Sequence, residues 1–280
     1  MAPRRAALRM TAMNDTSVPP GARDPFGTHL RHWRSQRRMS QLDLAQHADI
    51  STRHLSYVET GRASPSREMV LRLAQRLDVP LRERNSLLVA AGFAPMYPHR
   101  SLDDPALAAA RHAVDLVLKG HEPHPALAVD RHWNLVAHNA IVPLLMAGAA
   151  PALLQPPINV LRLSLHPEGI APRIANLAQW RAHLLERLQQ QIAATGDATL
   201  QSLHDELRGY GTPDAQHSGT PPSAVAVPFQ LKTADGVLSF ISTTTIFGTP
   251  VDITLQELAI ESFFPADEGT ARMLAVMAGH

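Results

Sequence analysis

Between Phe26 and Ala91 the apolar residues fall into five short clusters at helical spacing, each separated from the next by a few polar residues. Phe26, Leu30 and Trp33 form the first, and Leu42, Leu44 and Ala45 the second. Leu55 and Val58 follow, then Met69, Val70, Leu73 and Leu77, then Leu81, Leu87, Leu88 and Ala91. Helices this short are marginal alone in water, so each must bury its apolar stripe on the others. Ser40, Ser51 and Ser66 stand where N-caps belong, and Gly61 and Gly92 stand where helices stop. The stretch therefore predicts a compact all-α domain of five short helices.

The run SQLDLAQHADISTRHLSYVETGR, Ser40 to Arg62, constrains function as well as fold. Two short helices joined by a tight turn hold the second one outward, where its first turn can enter a DNA major groove. Leu44 and Ala45 pack inside the first helix, Ile50 plugs the turn, and Leu55 and Val58 anchor the second. That leaves Thr52, Arg53, Ser56 and Tyr57 outward as candidate base-reading residues. Gln41, Arg37, Arg38, Ser51 and Arg62 are the candidate phosphate contacts. Charge agrees. Residues 1–100 hold 16 Lys+Arg and 8 Asp+Glu, a net +8, whereas residues 101–280 hold 10 and 17, a net −7. An anionic partner is thus expected for the front only. Nearly every cation is Arg, which suits phosphate and guanine edges, although high-GC coding favours Arg too.

These residues resemble the lambda-repressor/Cro-like (xenobiotic-response-element, XRE) helix-turn-helix family through Ser40-Gln41, Leu44-Ala45, Ser51, Leu55, Val58-Glu59, Gly61 and Pro65. The resemblance covers residues 26–91. It implies a phosphate contact at Gln41, base-facing Thr52, Arg53 and Tyr57, and a salt bridge between Arg34 and Glu59. Asp49 stands where many members have Gly, and Asp tolerates left-handed backbone angles better than most residues.

The rear half has a different pattern. A helix is expected over 105–119, two short strands over Ala126–Asp130 and Trp133–His138, and a helix from Asn139 toward Met146. A mixed apolar segment spans 156–167 and amphipathic helices span Leu177–Ala194 and Leu200–Leu207. After a loop at 209–223, Val225, Val227, Phe229 and Leu231 alternate. Asp235-Gly236 makes a hairpin turn, Val237–Phe247 continues as strand, and Leu255–Phe264 alternates again. The expected organisation is a disordered leader at 1–24 (with Met10 or Met13 as alternative starts) and a helix-turn-helix domain at 25–92. A linker at 93–104, an α+β domain with an antiparallel sheet at 105–268 and a tail at 269–280 complete it.

Three segments, VDRHWNLVAHN (129–139), NVLRLSLHPEG (159–169) and NLAQWRAHLLERL (176–188), resemble the MmyB-like regulators, in which a PAS-like ligand-binding domain follows a helix-turn-helix. The resemblance implies a pocket for a small apolar, fatty-acid-like ligand. Its expected walls are Leu127, Val129, Phe240, Ile241, Leu258 and Ile260, with Trp180 from a covering helix. Hydroxyls at Ser239, Ser242, Thr243, Thr244 and Thr245 can supply polar points, and Arg162, His166 and Arg173 are candidates for an acidic headgroup. The alternative for these residues is ordinary core and solvated surface.

Other chemistry lacks support. There is no Cys, no HExxH, no P-loop, no dinucleotide fingerprint and no G-x-S-x-G. Among fifteen His, the pairs His121/His124 and His29/His32 lack an evident third ligand, so neither metal nor cofactor is expected. No run of 18 uncharged apolar residues occurs. The sequence thus predicts a cytoplasmic, homodimeric bacterial transcription regulator rather than an enzyme. It would bind a double-stranded DNA operator and a small apolar ligand, with no membrane partner. The alternative keeps DNA binding and makes the rear domain a ligand-free dimerisation or protein-interaction module.

Overall fold

The computed structural model describes residues 26–211, 227–248, 250 and 252–279. The expected leader and Val225 lie outside them. The chain divides into two compact units, the first comprising residues up to 79 with 86–94 and the second residues 80–85 with those from 95 onward.

The first unit is helical: α1 (Phe26–Gln36), α2 (Gln41–His47), α3 (Thr52–Glu59), α4 (Arg67–Arg76) and residues 86–90 of α5 (Leu81–Ala90). Each serine expected as a cap is one. Ser40, Ser51 and Ser66 accept from the backbone N–H of Asp43, His54 and Met69, the third residue of each helix. Ser40 and Asp43 close a reciprocal capping box. Leu30, Leu44, Leu55, Leu73 and Leu88 are fully buried in one core. The α2–α3 turn needs a left-handed residue, and Asp49 supplies it at φ 55°. Ile50 then donates its N–H to the Ala45 carbonyl at 3.0 Å and packs its side chain on the core. Gly27 permits the close approach of α1 to α3, since a Cβ there would lie 2.3 Å from the Glu59 carbonyl oxygen.

The second unit is α+β. Its elements are α6 (Ala108–Gly120), β1 (Ala126–Val129), β2 (Leu135–His138), α7 (Val142–Met146), α8 (Val160–Leu165), α9 (Leu177–Thr195) and α10 (Ala198–Gly209). Then come β3 (Phe229–Thr233), β4 (Gly236–Ile246), α11 (Ile253–Gln256), β5 (Ala259–Pro265) and α12 (Glu268–Met277). The strands form one antiparallel sheet in the order β2-β1-β5-β4-β3. Gly236, at φ 143°, serves the β3–β4 hairpin. One sheet face meets the main core, where Val129, Phe229, Leu231, Leu238 and Phe240 join Trp180, Leu184 and Leu188 of α9. The other face carries a smaller cluster in which Val114 and Leu118 of α6 cover Ala126, Ala128, Leu258 and Ile260.

This two-sided burial corrects several expectations. Residues adjacent in a strand point to opposite faces, so Phe240 and Ile241 cannot both line one cavity. Phe240 is buried in the main core, whereas Ile241 is 43% exposed on the far face. Ile260 pairs with Ala128, and both lie under α6 together with Leu258. The last strand is shorter than the alternation suggested, because Ile253–Gln256 forms a helical turn capped by Asp252. The segment expected as a tail forms α12, whose Leu274 is fully buried in the main core.

Candidate DNA-binding face and ligand cavity

The first unit is organised around a buried carboxylate. Glu59, at the end of α3, accepts from Arg34 Nε at 2.6 Å, Arg34 Nη2 at 3.1 Å and Gln41 Nε2 at 2.7 Å. Arg31 Nε lies 3.7 Å away. Burial pushes the Glu59 pKa up, but the hydrogen bonds from Arg34 and Gln41 and the two arginine charges outweigh it and hold it below its ordinary value. The cluster ties α1, α2 and α3 into one frame. On that frame Arg53 is exposed, while Thr52, Ser56 and Tyr57 are half-buried. Arg53 donates Nε–H to the Tyr57 hydroxyl at 3.0 Å, with its guanidinium 5.4 Å from the ring centroid, so the pair forms one stacked unit one helical turn apart.

The expected phosphate contacts divide into two groups. Arg38, Ser51 and Arg62 are exposed, and Arg38 lies in the turn after α1 with a left-handed φ of 55°. Arg37, which is also exposed, and Gln41 have partners within the fold. Arg37 donates to the Leu77 and Asp78 carbonyls at 2.8 and 3.0 Å, closing the end of α4, and Gln41 holds Glu59.

The second unit contains a cavity of about 100 Å³ walled almost wholly by apolar side chains. Leu127 of β1 and Trp180 of α9 line it, as the sequence suggested, joined by Trp133, Leu184, Phe229 and Phe263. Val129 and Phe240 belong to the surrounding core instead. The three cations proposed for an acidic headgroup are not among the lining residues. Arg162 grips Glu206 through Nε and Nη2 at 2.6 and 2.7 Å, which holds that carboxyl below its ordinary pKa. Burial and a hydrogen bond to Glu206 push the Tyr210 phenol up to about 12. His166 packs edge-on against the Tyr210 ring, and Arg173 donates to the Leu145 carbonyl.

The cavity's own charges are Arg187 and Glu261, which sequence reading missed. Arg187 lies on the same α9 stripe as Trp180 and Leu184, at helical spacing. Glu261 faces the cavity because its neighbour Ile260 faces α6. Both signals were present in the periodicity. Arg187 Nη2 and Nη1 donate to Glu261 at 2.6 and 3.1 Å, and Nη2 also donates to Thr244 Oγ1 at 2.6 Å. The guanidinium sits 4.6 Å from the centroid of the Trp133 ring. Trp133 takes a left-handed φ of 68°, unusual for so bulky a residue, because Asp130 accepts from the N–H groups of His132 and Asn134 and bends the chain between them. Its indole N–H donates to Gln191 at 2.9 Å. The only other polar side chain on the wall among the described residues is Ser164, whose hydroxyl accepts from the Trp180 indole N–H at 3.0 Å.

Residues 110–277 match the family model described as the MmyB-like transcription regulator ligand binding domain, over more than half of the chain. The chain belongs to this MmyB-like family. Residues 25–87 match a helix-turn-helix domain model. This MmyB-like protein is therefore a DNA-binding helix-turn-helix transcription regulator carrying a ligand-binding domain, and neither matching family is an enzyme family. No curated protein matches it. Among solved structures, the clp gene regulator ClgR from Corynebacterium glutamicum is 24% identical, with 35% of this chain and 90% of that chain covered and a TM-score of 0.21. An RNA-binding Light-Oxygen-Voltage receptor is 13% identical, with 90% of this chain and 62% of that chain covered and a TM-score of 0.24. At such TM-scores neither likeness bears on the reading of the site. Among the described residues no helix is long and apolar enough to cross a membrane, and no cluster of three His, Asp or Glu could hold a metal ion.

Proposed function

We propose that this regulator reads an operator with Thr52, Arg53, Ser56 and Tyr57 of α3, and that a small apolar ligand entering the cavity changes its affinity for DNA. Arg38, Ser51 and Arg62 are the phosphate contacts in this reading, Gln41 supports the face through Glu59, and the exposed Arg37 braces the end of α4. The cavity carries the proposal, because a void lined by tryptophan, leucine and phenylalanine offers water few partners and an apolar group many. Its volume of about 100 Å³ is below the ~150 Å³ of an apolar cavity that admits benzene. A short or branched hydrocarbon end matches that volume. A homodimer completes the reading. Val237, Ile241 and Phe264 are between 43% and 45% exposed on the sheet face opposite the main core, an apolar surface suited to a second copy.

Occupancy acts on DNA affinity only if the ligand prefers one arrangement of the protein over another. The test is mass spectrometry of organic extracts of the purified protein, followed by operator titrations with and without the recovered compound. A recovered apolar compound that shifts operator affinity is the expected result. An empty extract, with no thermal shift across short-chain acyl compounds, leaves the ligand-free dimerisation reading in its place.

A further inference from the structure

We propose that Glu261 makes the cavity selective for uncharged ligands, so that the polar end of the bound molecule is a neutral acceptor such as an amide, ester, ketone or alcohol rather than a carboxylate. This rests on the reading of the cavity as a ligand site. Among the described residues lining that cavity, Arg187 is the only Lys or Arg, and its charge is already matched by Glu261. The Glu261 side chain is 6% exposed, so its charge is poorly screened, and a ligand carboxylate at the same wall would face it across a few ångströms of low-dielectric space.

The geometry leaves room for a neutral group. Arg187 has five N–H donors, and three are committed to Glu261 and Thr244. Its Nε–H has no partner among the described residues and can donate to one uncharged oxygen while the ion pair stays intact. Ser164 of α8 adds a hydroxyl elsewhere on the lining. Among the described residues no second Lys or Arg lines the cavity: Arg162 is ion-paired with Glu206, and Arg173 lies off the lining with a hydrogen bond to the Leu145 carbonyl. His183, one turn before Arg187, is held below its ordinary pKa, first by burial and then by the Arg187 charge, which disfavours its cationic form.

The experiment is calorimetric titration of the full chain at neutral pH with matched pairs: butanoate and butanamide, hexanoate and hexanamide, octanoate and octanamide. The expected result is that each amide that fits binds at least about tenfold tighter than its acid, a difference of ~1.4 kcal/mol. In Glu261→Gln, which frees the Arg187 fork for a carboxylate, the preference reverses while amide affinity changes little. Wild-type protein that binds the acids as tightly as the amides overturns the proposal. So does a folded Glu261→Gln variant with an unchanged ratio, and if that variant does not fold, the wild-type ratio alone decides. Binding of neither compound removes the ligand reading of the cavity, which is a different failure from binding with the wrong charge preference.

Discussion

Replacing Arg34 by Ala isolates the buried carboxylate on which the DNA-binding unit is built. The Glu59 side chain is 0% exposed and that of Arg34 14%, so solvent does little to screen the pair. The substitution strips Glu59 of two charge-assisted hydrogen bonds and leaves Gln41 at 2.7 Å and the half-exposed Arg31 at 3.7 Å. Removing one partner of a buried ion pair costs about 3–5 kcal/mol, and the two remaining donors place the expected loss near the lower end, ~3 kcal/mol. An Arg34→Met, Glu59→Met double variant should recover much of it, since no charge is then left buried. The acid limb gives a second signature. The folded-state pKa of Glu59 is depressed, so its contribution is present above the ordinary value of 4.5 and is lost as pH falls through the lower folded value. In Arg34→Ala that loss should begin at higher pH. Amide hydrogen exchange within α1–α3 of the full chain measures both effects. A loss under about 1 kcal/mol, the value of an exposed pair, would refute the reasoning.

Gly27→Ala should destabilise the same unit by about 1–3 kcal/mol, read by hydrogen exchange, because the new methyl meets backbone at the end of α3 rather than a side chain that can move. Operator affinity should fall with salt at a log–log slope of about −0.9 per neutralised phosphate, and salt-independent gel shifts would contradict the phosphate role of Arg38 and Arg62. Arg53→Ala should cost about 1–3 kcal/mol at the operator and relax base preference at one position, which selection from a random-site library would reveal. Leu184→Phe should fill part of the cavity, raise Tm by a few degrees and abolish binding of apolar compounds; unchanged ligand affinity would place the site elsewhere.

Local chemistry was legible wherever a residue acts on its own neighbours. The three serine caps, the left-handed Asp49, the Asp235-Gly236 hairpin and the helices expected at 177–194 and 200–207, which run over 177–195 and 198–209, follow from spacing and side-chain type. The cavity was harder, because strand alternation says that two faces exist without saying which one meets which helix. Placing Ile241 beside Phe240 broke that alternation outright. Leu258 and Ile260 obeyed it but went under α6, a choice set by the register of β5 against β1.

By itself the sequence determined that the chain holds a short-helix DNA-binding unit and an α+β unit, because caps, turns and apolar periods are properties of consecutive residues. Apart from the Arg34–Glu59 pair, which the family resemblance implied, tertiary structure decided what several long polar side chains do. Gln41 and Arg37 look like surface donors in the sequence, yet Glu59 and the end of α4 take them up across 18 and 40 residues. Arg187 and Glu261 lie 74 residues apart on a helix and a strand, and only folding brings them to one cavity wall. A polar group leaving water must find a partner wherever the fold offers one. That partner is set by packing between elements, which sequence spacing does not encode.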